Sequence, residues 1–131
     1  MTPSITLTLM DGSLAGQRYC IAGRHVCVVG RGEECTLRLP DEPEYNTVSR
    51  YHCVLDVDPP QIRVGDFGST NGTWINGMRI ERHLPWHVPE GREGPLGDHE
   101  LCDGDELALG GVRFMVSVVD VEALHLPSVV A

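Results

Sequence analysis

The sequence predicts an all-β fold, a two-sheet β-sandwich of about eleven short strands. Three observations carry that expectation. Apolar and polar residues alternate with period two over many short runs, the pattern of half-buried strands. Fifteen glycines and nine prolines among 131 residues punctuate those runs and favour turns over long helices. No stretch carries a good amphipathic helical period.

The first strand is read from Ile5, Leu7 and Leu9 alternating with Thr6 and Thr8. Asp11-Gly12-Ser13 turns the chain, and residues 17–22 return as its hairpin partner. After Gly23-Arg24, residues 25–29 are apolar and β-branched, and this core strand ends at Gly30-Arg31-Gly32. A short strand over 36–39 stops at Pro40, and the acidic, aperiodic residues 41–48 make a loop closed by Ser49-Arg50. Tyr51, Cys53, Leu55 and Val57 alternate with His52, Val54 and Asp56, so a strand spans 51–58. Pro59-Pro60 turns it into a partner over 61–64. Residues 81–101, rich in proline and glycine, read as one long irregular insertion, a length that in compact domains is often functional. Asp103-Gly104-Asp105 marks a turn, and residues 106–109 and 112–119 form a closing hairpin across Gly110-Gly111. A single domain is expected, with its core over 5–119 and a tail over 120–131 holding at most one weak helical turn.

The densest stretch is Asp66-Phe67-Gly68-Ser69-Thr70-Asn71-Gly72-Thr73-Trp74-Ile75-Asn76-Gly77. Two Asn-Gly pairs bracket three strand-forming residues, and Asn-Gly favours tight turns because both residues tolerate positive φ. Hydroxyls at Ser69 and Thr70, the Asn71 amide and open glycine N–H groups suit a loop that holds an oxyanion or a peptide backbone. A plain polar hairpin is the alternative. Asp66-Phe67-Gly68 imitates a kinase magnesium motif, but the chain lacks a glycine-rich nucleotide loop and an H-R-D triplet. It reads as a strand end entering a turn, with Trp74 packed in the core at the loop base. Trp86, inside the insertion, is either a partner contact or packing on the sandwich.

Charge and cysteine content exclude several classes. A formal net charge of −9 opposes nucleic acid or an anionic membrane as partner. An anion site in this chain must act through short-range contacts. No apolar run approaches the length of a membrane span, and no secretory pattern opens the chain. Five cysteines form an odd set without C-x-x-C; they read as reduced, mostly buried thiols of a cytoplasmic protein. Their spacing with six histidines matches no structural zinc site, so neither metal nor cofactor is expected.

Three loops carry the remaining unusual residues: Gly30-Arg31, Ser49-Arg50-Tyr51-His52 and Ser69-Thr70-Asn71-Gly72. Loops of a sandwich gather at its two ends, so these can converge. Together they would offer the rigid donor fork of Arg31, suited to phosphate, with the Ser49 and Thr70 hydroxyls and the Asn71 amide. No nucleophile sits beside a general base, so the set reads as a holder and not a catalyst. Each residue also has a simpler reading: Arg31 as an exposed arginine, Ser49 as a turn cap, Arg50 as the ion-pair partner of acidic residues 41–44, His52 as a metal ligand or a structural histidine.

These blocks, with Asn76-Gly77 and the later Asp103-Gly104-Asp105, resemble the forkhead-associated (FHA) domain family in order and spacing over residues 5–119. The resemblance implies an FHA/SMAD-like sandwich that binds phosphothreonine-containing proteins, substrates of a Ser/Thr kinase, through loops at one end. It implies phosphate contact by Arg31 and Ser49, support from Arg50 and Thr70, and peptide-backbone contact by Asn71. Gly30, His52, Gly72, Asn76 and Gly77 would be architectural. The insertion over 81–101 is longer than such domains usually carry. A phosphate-independent assembly or oligomerisation module, using a sheet face or that insertion, is the alternative function.

Overall fold

The computed structural model describes residues 3–82 and 99–119. Its strands are β1 (Ser4–Leu9), β2 (Arg18–Ala22), β3 (His25–Gly30), β4 (Leu37–Arg38), β5 (Cys53–Asp58), β6 (Gln61–Asp66), β7 (Thr73–Ile75), β8 (Met78–Arg79), β9 (His99–Leu101), β10 (Glu106–Leu109) and β11 (Val112–Val119). One sheet runs β2-β1-β11-β10-β7-β8 and the other β4-β3-β5-β6-β9. The ladders between named strands are antiparallel except β3 with β4.

Alternation dictates which side chains meet. Ile5, Leu7 and Leu9 of β1 and Phe114 and Val116 of β11 face Cys27 and Val29 of β3 and Leu55 and Val57 of β5. All are essentially inaccessible, and each large aliphatic or aromatic side chain so placed contributes roughly 1.5–3 kcal/mol. Tyr45, in a one-turn 3-10 segment Pro43–Tyr45, is fully buried. Its hydroxyl accepts from the Leu14 N–H at 3.1 Å, while Ser13 donates through its N–H and hydroxyl to Glu44. The loop over 41–48 is thus anchored to the β1–β2 connection.

Several expectations need correction. The region over 81–101 is not wholly irregular: β9 pairs with β6, Ile62 opposite Leu101, and Arg82 bridges to Asp66. Three residues flanked by turn-forming sequence carry too little periodicity to announce a strand. The strand expected over 51–58 starts at Cys53, leaving Tyr51 exposed, because Ser49–His52 must curve around the end of β3. Its outward residues Val54 and Asp56 are also buried, and Arg24 pairs with Asp56 at 3.3 Å. Cys27 and Cys53 are buried as expected, but Cys20 and Cys102 are exposed; on β2 the core side of the alternation belongs to Ile21. Trp86 and the tail over 120–131 lie outside the described residues.

Candidate functional site

The three loops meet at one end of the sandwich. The first two are laced by backbone. Arg31 N–H donates to Ser49 O at 3.2 Å and Gly32 N–H to Arg50 O at 2.9 Å. That approach requires glycine at position 30: a Cβ there would lie 2.1 Å from Arg50 O and 2.7 Å from Ser49 O. Arg31 is largely enclosed. Its Nε donates to Val48 O, and its Nη1 pairs with the Asp41 carboxylate. The Arg31 side chain is 19% exposed and that of Asp41 59%, so the ion pair opens to solvent on the aspartate side.

The third loop joins the second through side chains. Thr70 N–H donates to Ser49 Oγ at 3.1 Å, which leaves the Ser49 hydroxyl hydrogen to point at a ligand. Asn71 Nδ2 donates to Thr47 O at 2.9 Å. His52, fully buried, accepts from Ser49 N–H at Nδ1 (3.0 Å). The ring proton therefore sits on Nε2, which donates to Gly72 O at 2.8 Å. Burial pushes the His52 pKa below its ordinary value, against the opposing pull of the Gly72 carbonyl and the Asp66 charge. Both ring nitrogens are engaged, so this histidine braces two loops and is not available as a base or metal ligand. Among the described residues no group of three or more His, Cys, Asp or Glu is placed to hold a metal.

Beneath the loops lies a polar knot that the sequence reading did not assign. Asp66, buried at the end of β6, accepts from Gly68 N–H (2.9 Å), Ser69 N–H (3.0 Å), the Ser69 hydroxyl and Thr73 Oγ1 (2.7 Å). Gly72 N–H then donates to Ser69 Oγ at 3.0 Å. The Ser69 hydroxyl faces inward, so of the two loop hydroxyls only Thr70 remains exposed. An Asp followed three residues later by Ser is the sequence signal for this turn.

Other placements differ from expectation. Arg50 is exposed and pairs with none of the described residues of the 41–44 stretch; Asp41 is held by Arg31 and Glu44 by Ser13. Asn76, at φ 50°, and Gly77, at φ 81°, form the β7–β8 turn at the far end of β7 from Gly72. Asn76 is tied there to Asp105 and Glu106, so any support it gives the loops passes through the sheet. Trp74 is not a core residue. It is half-exposed, donates to Asn71 O at 3.2 Å and carries the Arg79 guanidinium 5.8 Å from its ring centre. Thr47 was also missed: besides accepting from Asn71, its Oγ1 accepts from Gly111 N–H at 3.1 Å.

This architecture recurs in known proteins. The FHA domain family matches residues 27–93. The chain belongs to the FHA domain family. FhaA of Mycobacterium tuberculosis, described as an FHA domain-containing protein, is 32% identical over 114 residues. Those cover 86% of this chain but 17% of FhaA, so the chain spans about a sixth of that relative. A solved structure from work on phosphothreonine-dependent FHA domain interactions shares 30% identity at a TM-score of 0.66, covering 89% of this chain and 98% of that one. The FHA domain of FhaA in complex with the intracellular domain of Rv3910 shares 30% identity at a TM-score of 0.63, covering 86% and 98%.

Proposed function

We propose that this FHA domain is a phosphothreonine-peptide reader that mediates phosphorylation-dependent association in Ser/Thr kinase signalling. The observation that carries this reading is the joining of Arg31, Ser49 and Thr70, from three separate loops, by hydrogen bonds that run through Ser49. The phosphothreonine-dependent interactions studied in its 30% identical structural relative support it. A threonine phosphate brings about −1.5 to −2 charges and three acceptor oxygens. The Arg31 guanidinium and Ser49 hydroxyl replace part of its water shell with donors already fixed in place, each charge-assisted bond contributing about 1.5–3 kcal/mol before desolvation.

Thr70 and Arg50 stand at the rim, where they support the phosphate. Asn71, braced on Thr47, turns its amide to the peptide backbone. Gly30, Gly72 and His52 set the spacing of the loops. Both His52 nitrogens are engaged and Asp66 is taken up by the buried Ser69 and Thr73, so among the described residues no base is placed at the Ser49 or Thr70 hydroxyl, and the site binds without turning over. The odd cysteine count and the two buried thiols suit a reducing compartment, and we place the domain in the cytoplasm.

Screening an oriented phosphothreonine library identifies a peptide, and calorimetry then measures its affinity. Low-micromolar binding is expected, about −8 kcal/mol, with no binding of the unphosphorylated peptide. Arg31→Ala should reduce affinity by about a hundredfold. Undiminished binding by that variant overturns the reading.

A further inference from the structure

The phosphate site contains its own anion. Asp41 follows Pro40 at the start of the 41–48 loop, and its carboxylate holds Arg31 Nη1. Arg31 Nε is engaged by Val48 O, so Nη2 is the guanidinium nitrogen without a partner among the described residues. The loop is fastened just beyond Asp41. Tyr45 is buried, Glu44 is bound by Ser13, and Thr47 is held by Asn71 and Gly111. Asp41 thus stays beside Arg31 at high effective concentration, while remaining open enough to swing outward.

We propose that Asp41 is a specificity-determining residue of this site, an internal carboxylate competitor that discriminates phosphate dianions from single carboxylates. The proposal rests on the phosphothreonine reading and deepens it. A glutamate or aspartate side chain reaching Arg31 would exchange one carboxylate for another. It gains no charge interaction and must still be ordered, so it is rejected. A phosphate dianion brings a second charge and a third oxygen, which also reaches the Ser49 hydroxyl. It can share or displace the Asp41 contact and still gain. Acidic sequences, abundant and unmodified, are thereby kept out of a site built to hold an anion. Asp41 acts by competing for Arg31 and touches no peptide group itself.

Asp41→Asn tests this, because the amide oxygen still accepts from Nη1 while the charge is gone. Inorganic phosphate and acetate are titrated separately into the full chain at pH 7.5, where phosphate is mainly dianionic. Binding is read from the Arg31 Nε–H and Thr70 N–H resonances. In the unsubstituted protein phosphate moves both signals and acetate moves neither. In Asp41→Asn phosphate should bind about two- to fivefold more tightly, and acetate should now shift the Arg31 signal. Asp41→Ala, which also removes the acceptor, should admit acetate too, and retained amide dispersion shows that either variant is folded. Unchanged or weakened phosphate binding in Asp41→Asn, or continued exclusion of acetate from both variants, overturns the proposal. If neither protein binds phosphate, the proposal falls as well. Phosphate binding without binding of any phosphothreonine peptide instead defeats the peptide-reading function and leaves the discrimination by Asp41 standing.

Discussion

The site has two layers that obey different rules. The lower layer, Asp66, Ser69, Thr73 and His52, is buried, and its polar atoms are matched donor to acceptor. The upper layer, Ser49, Thr70, Asn71 and Arg50, faces solvent or is half-buried and keeps hydrogen-bonding capacity in reserve. Arg31 spans both. In the lower layer a lost partner strands a desolvated group, so the cost appears as stability. In the upper layer water replaces a lost partner, so the cost appears only when ligand is present.

The largest effect that sharpens this contrast is expected from Asp66→Ala. It removes the acceptor of four hydrogen bonds and leaves buried hydroxyls unmatched. Chemical denaturation should show a loss of about 3–4 kcal/mol. A loss under about 1 kcal/mol would mean that the two layers do not differ in kind. Ser49→Ala should do the reverse. Peptide affinity falls by about tenfold, while the unfolding free energy moves by less than about 1 kcal/mol, since the exposed Thr70 N–H turns to water. Equal losses of stability and affinity would break the distinction.

The smallest effect is with pH. Burial holds the His52 pKa below its ordinary 6.5, so in acid the unfolded chain takes up a proton that the folded chain resists. The contribution is therefore fully present above pH 6.5 and declines as pH falls through the depressed folded value. Thermal unfolding followed from pH 7.5 to 5 should show a fall that is absent in His52→Gln, which is itself less stable at pH 7.5. An identical pH profile in the two proteins would remove His52 as the source.

The upper layer was more legible in the sequence than the lower. Arg31, Ser49, Thr70 and Asn71 stand out as donors in glycine-rich loops, and the structure brings them together. Asp66 resembled an ordinary strand end because its role lies in where its carboxylate turns, which alternation does not record. Thr47 escaped notice because its partners, Asn71 and Gly111, are remote along the chain. The strand pattern was read well where four or more residues alternate, as in β1 and β11. It failed at β9, whose three residues acquire strand geometry only by pairing with β6. Asp41 reads as one of the acidic residues open to Arg50, since nothing in the sequence ties it instead to Arg31, ten residues earlier.

The β10–β11 turn has a consequence for how far this domain can be cut. Gly110, at φ 58°, donates its N–H to Gly72 O at 2.8 Å, and a Cβ on it would lie 2.6 Å from Thr47 O. A turn near the end of the described residues thus latches the loops of Thr47 and Gly72 from behind, while the whole of β1 zips along residues 114–119 of β11. The segment spanning 27–93 lacks that latch and both of those strands. A minimal working fragment must therefore begin no later than β1 and continue through β11.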